Sequence, residues 1–262
     1  MSPFHIHGKG QLSYHAKMLF AKRDVKMNFQ WPRFTPFKTV NDIEKRFTYE
    51  NFSKCLVDGR SQFKIVVIDD ETFTPIENLR RNNYDIVHMP DIHSIDALSK
   101  FNIVLCDLNG VGVSLNPTLQ GAHIIAEIKK SYPEKIVVAY TGGGFQQDMI
   151  ERSIQASDYF LRKDANVEEW CERLDTAISD LANPAIVWKK LRHRLLDAGL
   201  TPYKLAVVED LFVEKTLHGR PFSLSDLDTY ASRFEINGTA KAILKKAVID
   251  VGFEIAKEYI KG

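Results

Sequence analysis

Carboxylates, a hydroxyl and an amine recur at the ends of short apolar runs in the middle of this chain. Asp69-Asp70-Glu71 follows Ile65-Val66-Val67-Ile68, and Asp107 follows Ile103-Val104-Leu105-Cys106. Thr141-Gly142-Gly143-Gly144 closes the run that begins Ile136-Val137-Val138-Ala139, and Lys163 comes just after Tyr159-Phe160-Leu161. Three carboxylates brought together repel one another and become tolerable when a divalent cation sits among them. Mg2+ favours such oxygen ligands and keeps several waters. A carboxylate beside it is competent as a nucleophile towards a phosphoryl group, giving an aspartyl phosphate. The cation, a lysine and a hydroxyl then offset the charge on the phosphoryl oxygens.

These side chains meet only if the elements that carry them converge. The apolar runs, with Ile86-Val87 as a fifth, are a few residues each, and the longest do not alternate with polar residues. That is the pattern of strands buried on both faces of a parallel sheet. Helical stripes lie between them: Phe73, Ile76 and Leu79; Ala122, Ile124, Ile125 and Ile128; Phe145, Met149, Ile150 and Ile154; and Val167, Trp170, Cys171, Leu174, Ala177, Ile178 and Leu181. Strands alternating with helices imply βαβ units in a doubly wound α/β sheet, and five strands fit the flavodoxin-like order 2-1-3-4-5. Sites in such sheets form beyond the carboxyl ends of the strands, so this order brings Asp69, Asp70, Asp107, Thr141 and Lys163 to one rim.

After Leu181 the strand signal stops. Asn183-Pro184 and Thr201-Pro202 read as N-caps followed by proline at the first helical position, with Gly199 and Gly219 after the helix ends. Ser223 with Asp226 approximates a capping box, and a last helix is expected over about 239–259. The expected organisation is an N-terminal extension over 1–62, an α/β domain over 63–182, and a mainly α-helical output or dimerisation domain of four helices over 183–262. Residues 41–57 are expected to form one helix.

The stretches FKIVVIDDE, FNIVLCDLNG, KIVVAYTGG and SDYFLRKD, in this order, resemble the receiver domain of two-component response regulators. The resemblance covers residues 63–181. It implies that Asp107 is the phosphoacceptor, and that Asp69, Asp70, Asp107 and the backbone carbonyl of Asn109 hold Mg2+. It further implies that Lys163 contacts the phosphoryl group, that Thr141 couples phosphorylation to conformation, and that Phe160 is the aromatic switch, with Tyr159 one residue away. The expected partner is a histidine kinase or phosphotransfer protein. The chain would be a phosphoacceptor switch that only accepts and releases its own phosphoryl group, and not an enzyme acting on other substrates. Four departures mark an atypical member. Asp164 stands where the family has a cis-proline after the lysine, so this bond is expected to be trans. The segment VGVSLNPTLQG after Asp107 is long, and is expected to overhang the site. The span between the first and third strands is short, which implies a trimmed second strand and helix. Sixty-two residues precede the domain.

Two other readings are open on the same residues. A pseudo-receiver would use the fold as a constitutive protein-interaction scaffold. A haloacid-dehalogenase-like phosphatase would carry its nucleophile after the first strand in a D-x-D pattern, where this chain has Asp69-Asp70-Glu71 and leaves Asp107 without a role.

Composition limits the remaining possibilities. The 262 residues are 44% hydrophobic and 26% charged, enough for a buried core, with a net charge of +1. That total hides a partition: net +6 over 1–62, −8 over 63–183 and +3 over 184–262. The three cysteines, Cys55, Cys106 and Cys171, form no CxxC pair, and no apolar run is long enough to span a bilayer. A reduced, cytoplasmic setting without membrane contact is expected. Basic residues interleaved with aromatics over 1–38 suit packing on the acidic domain, or single-stranded nucleic acid. The run Trp188-Lys189-Lys190-Leu191-Arg192-His193-Arg194-Leu195 suits a solvated helix face or DNA phosphate. Residues 224–234 and 239–248 have the lengths of a helix-turn-helix, without distinctive turn chemistry. A homodimer is open to the helical region, and His5, His7 and His15 read as solvated terminal residues.

Overall fold

Short β-branched runs flanked by polar turns have formed strands, and the stripes between them have formed helices. The chain divides into two compact units, Met1–Pro36 and Phe37–Gly262. The computed structural model describes residues 37–46, 59–143, 147–218, 220 and 223–249. The elements in chain order are α1 (Val40–Glu44), β1 (Lys64–Ile68), α2 (Ile76–Arg81), β2 (Asp85–Met89), β3 (Ile103–Asp107), α3 (Gln120–Ser131), β4 (Ile136–Thr141), α4 (Gln147–Ala156), β5 (Tyr159–Arg162), α5 (Val167–Ala182), α6 (Pro184–Asp197), α7 (Pro202–Leu217), α8 (Leu224–Arg233) and α9 (Gly238–Ile249).

The five strands form one parallel sheet in the order β2-β1-β3-β4-β5, the order that the five-strand pattern was expected to fit. Register pairs Ile68 with Cys106 and Asp107 with Tyr140, so the carboxyl ends of β1, β3 and β4 finish side by side. Successive side chains along each strand enter opposite cores. Ile65, Val67, Val138 and Tyr140 join Trp170, Leu174 and Ile178 of α5 on one face. Val66, Ile68, Val137 and Ala139 join Ile124, Ile125 and Ile128 of α3 on the other. Both faces are therefore apolar, which is why the runs do not alternate. The span between β1 and β3 is trimmed in its helices only: β2, at five residues, is as long as β1 and β3, so the expected trimming of the second strand is not found. Helix α2 has six residues, and a single 3-10 turn, Ile95–Leu98, stands where a second helix would run.

A third core holds the C-terminal helices together. Trp188 of α6 stacks on Phe212 of α7 with ring centroids 4.7 Å apart, among Leu191, Leu195, Leu205, Leu227 and Leu244. The caps read from sequence are formed. Asn183 Oδ1 accepts from the N–H groups of Ala185 and Ile186, Thr201 Oγ1 accepts from Lys204 N–H, and Ser223 and Asp226 bond reciprocally. The C-terminal region contributes four helices to the described residues.

One further expectation changes. Residues 41–57 are not one helix: α1 starts at Val40, ends at Glu44 and passes into a turn at 45–46, and residues 47–58 lie outside the described residues. Of the N-terminal basic segment over 1–38 only Phe37 and Lys38 are described, and they lead into α1 on the helical region; the expectation that the segment packs on the acidic domain lies outside the described residues. Lys38 N–H donates to Asp210 of α7 at 2.7 Å, Val40 N–H donates to buried Glu209 at 3.2 Å, and Val40 and Ile43 enter the third core. The reason is complementarity: α7 offers carboxylates for the free N–H groups of α1, and an apolar face for Val40 and Ile43. Residues 1–36, with His5, His7 and His15, lie outside the described residues, as do Gly144, Phe145, Gly219 and 250–262. No helix among the described residues is long and apolar enough to cross a membrane.

Candidate functional site

Each reactive side chain leaves the sheet at a strand end. Asp69 follows β1, Asp107 ends β3, Thr141 ends β4 and Lys163 follows β5, held in register by its N–H donating to Thr141 C=O at 3.0 Å. Asp69, Asp70 and Asp107 each offer an oxygen within 4.8 Å of the others; Asp69 and Asp107 are buried and Asp70 is exposed. The Lys163 ammonium lies among the acids, at 2.8 Å from Asp107 Oδ2, 3.0 Å from Asp69 Oδ1 and 3.0 Å from Glu71 Oε2.

One lysine is thus shared by three carboxylates. Burial pushes the Asp107 carboxyl above its ordinary range, more strongly than Lys163 and the Asn109 N–H pull it down, and Asp69 adds repulsion. For Lys163, burial works against the charge, but the hydrogen bonds to Asp107, Glu71 and Asp69 outweigh it and raise the ammonium above the usual lysine value. The two partners differ because the lysine has three anions while each anion has a fraction of one cation. The donor set is hard oxygen, anionic and clustered, which fits a divalent cation such as Mg2+.

Asn109 joins the acceptor to the hydroxyl. Its N–H donates to Asp107 Oδ1 at 3.1 Å, and its side-chain amide donates to Thr141 Oγ1 at 3.4 Å and to Gly143 C=O at 2.9 Å. Gly110 lies against Asp70 with φ +76°, and a Cβ there would stand 2.3 Å from the Asp70 carboxylate, so the turn is closed to larger residues. Phe160 pairs with Ala139 and packs on the same sheet face as Ala139, the face to which Thr141 belongs by alternation. Tyr159 points to the opposite face, where its hydroxyl donates to Asp180 at 2.5 Å.

The departures also take shape. The segment after Asp107 is fastened to the β2–β3 connection: Asp91 Oδ1 accepts from Gly112 N–H at 2.6 Å, and His93 Nδ1 and Ser114 Oγ are 3.2 Å apart. Asn116 accepts from the N–H groups of Thr118 and Leu119, and Gln120 Oε1 from that of Gly110. Asp164 pairs with Arg162 in solvent, and no peptide bond among the described residues is cis.

Tyr140 was missed in the sequence. Its hydroxyl donates to Asp69 Oδ2 at 2.8 Å while the ring is fully buried, and burial followed by the Asp69 charge holds the phenol far above its usual pKa. The available signal was a phenol inside an otherwise apolar strand, which needs a partner for its O–H. His88 was missed too: its Nε2 lies 2.7 Å from the Asp69 carbonyl oxygen.

The basic helix start in α6 faces protein carboxylates. Lys189 pairs with Glu44, Lys190 with Asp158 at 3.2 Å, Arg192 with Glu209 at 3.9 Å and Arg194 with Glu134 at 3.6 Å. Lys189 and Arg192 nevertheless remain more than half exposed. In α8 and α9, Lys241 and Lys245 lie 2.8 and 3.9 Å from Asp228.

No family model matches the chain, and no curated protein matches it by sequence. Among solved structures it is similar to the BeF3-activated DrrB receiver domain, at 19% identity over 44% of this chain and 97% of that one, with a TM-score of 0.35. A response regulator from Thermotoga maritima matches at 19% identity over 44% and 97%, TM-score 0.35. The receiver domain of NtrX from Brucella abortus matches at 23% identity over 43% and 98%, TM-score 0.36. These neighbours are response regulators or their receiver domains, each matched over less than half of this chain.

Proposed function

We propose that the chain is a phosphorylation-controlled signalling switch in which Asp107 accepts a phosphoryl group from a histidine kinase, a phosphotransfer protein or a small phosphodonor. The observation that supports this most is the convergence of Asp107, Asp69, Asp70, Thr141 and Lys163 on one rim, with Lys163 Nζ 2.8 Å from Asp107. An Asp107 carboxylate oxygen attacks the donor phosphorus; an O–P bond forms, the bond to the leaving group breaks, and that group departs with the electron pair. Asp69, Asp70, Asp107 and the backbone carbonyl of Asn109 would hold Mg2+, which when bound offsets charge on the phosphoryl oxygens. Lys163 passes from the Asp107 carboxylate to a phosphoryl oxygen. Thr141 donates its hydroxyl to another, releasing Asn109. Phe160, on the same sheet face, follows Thr141, and the surface around α4 and β5 changes its partner. On this reading the protein works in the cytoplasm, turns over no other substrate, and signals through its C-terminal helices to a partner yet to be identified.

The test is intact-mass spectrometry of the full chain after incubation with acetyl phosphate. One phosphoryl adduct is expected with Mg2+, absent without it and absent in Asp107→Ala. An adduct that survives Asp107→Ala and maps to Asp69 would instead indicate phosphatase-like chemistry. A chain that binds Mg2+ but takes no adduct would overturn the switch in favour of a constitutive scaffold.

A further inference from the structure

We infer that Tyr140 is a positioning residue for the cation site, fixing the Asp69 carboxylate in the orientation that a divalent ion needs. The inference rests on the switch reading and extends it to a residue that touches neither phosphoryl group nor cation. An ionised carboxylate has about four acceptor positions. On Asp69, Oδ1 takes Lys163 Nζ at 3.0 Å and the Glu71 N–H at 3.0 Å, and Oδ2 takes the Tyr140 hydroxyl at 2.8 Å. One position is left, so the direction of the remaining lone pair is set by the three donors.

The donors differ in rigidity. Lys163 is on a long stem, partly exposed, and shared with Glu71 and Asp107. Tyr140 is locked. Its backbone is in β4 between β3 and β5, and its ring meets Trp170 edge-on at 5.4 Å and Phe73 at 5.8 Å. When Lys163 moves to a phosphoryl oxygen, the Tyr140 hydroxyl and the Glu71 N–H keep the Asp69 plane from rotating. Donors behind a metal-binding carboxylate act in this way, and their loss weakens binding by roughly 10- to 100-fold.

The test uses calorimetric Mg2+ titration of the full chain, wild type against Tyr140→Phe. Phe keeps the ring packing and removes only the donor. A dissociation constant about tenfold larger at unchanged stoichiometry is expected. A tyrosine that only satisfied its own burial would give a Phe variant with unaltered affinity, and that result, or tighter binding, overturns the inference. If the wild type takes up no Mg2+, the switch reading falls along with it. If the wild type binds Mg2+ and is phosphorylated while the variant binds equally well, only the Tyr140 role falls. Should the variant not fold, 13Cζ-tyrosine labelling of the wild type decides the matter. Mg2+ saturation is expected to move one buried tyrosine resonance, and a spectrum in which none moves overturns the inference.

Discussion

Among the described residues, Lys163 is the side chain that hydrogen-bonds Asp69, Glu71 and Asp107 together. Asp69 and Asp107 are buried, so removing their counter-charge leaves two close anions without compensation. Lys163→Met keeps the aliphatic stem and deletes the charge. The cation-free protein is expected to lose about 3 kcal/mol of stability in urea denaturation. Millimolar Mg2+ is expected to restore more stability to the variant than it adds to the wild type, since the ion then supplies the missing positive charge. Equal Mg2+ stabilisation of the two proteins would show that lysine and cation do not share these carboxylates. Asp69, Asp70, Asp107, Thr141 and Lys163 were all legible in the sequence because each ends an apolar run. Tyr140 was not, because its chemistry depends on a strand two positions away in the sheet.

At the scale of elements, the site depends on how closely α3 approaches β3. Gly121 lies in the first turn of α3, and a Cβ there would stand 1.9 Å from the Asp107 carbonyl oxygen and 2.8 Å from the Leu108 Cα. Both are backbone atoms, so the helix itself would have to move. Gly121→Ala is expected to cost about 3 kcal/mol, and to abolish acetyl phosphate labelling although no reactive side chain has changed. Thermal unfolding and intact mass check the two effects separately. The sequence signalled α3 through its apolar stripe but not this contact, because a glycine in a helix has no local signature that distinguishes close packing from tolerance.

Across the whole described unit, the charge partition of the sequence becomes a seam. Asp158, just before β5, takes Lys129 Nζ of α3 at 2.6 Å, Lys190 Nζ of α6 at 3.2 Å and the Val137 N–H at 2.9 Å. Together with Arg194–Glu134, this ties the basic run in the middle and last turn of α6 to the acidic sheet domain. Burial alone would raise the Asp158 carboxyl, but Lys129, then Lys190, outweigh it and hold the group below its ordinary range. Lys129 is instead pulled down mainly by burial, which outweighs the support of Asp158 and, more weakly, Glu134, with Lys190 adding repulsion. A depressed carboxylate binds fewer protons when folded than when unfolded. Its stabilisation is therefore complete above the unfolded value of about 4 and is lost as pH falls through the lower folded value. Asp158→Asn is expected to lose about 3 kcal/mol at neutral pH and to show a shallower fall in stability below pH 4, measured by urea titrations across pH. An unchanged acid limb would place the acid sensitivity elsewhere.

By itself the sequence determined the period of the strands and of the helices between them, the caps at Asn183, Thr201 and Ser223, and the acidic groups at the strand ends. These follow from local propensity, strand burial and the rule that sites lie at the carboxyl ends of parallel strands. Only the tertiary structure decided that α1 ends at Glu44, that Phe160 and not Tyr159 shares a face with Thr141, that the basic run of α6 meets carboxylates, and that Tyr140 donates to Asp69. Each of these depends on partners distant in the chain. Which groups are brought within hydrogen-bonding range is set by the packing of whole elements, and spacing along the sequence carries no record of it.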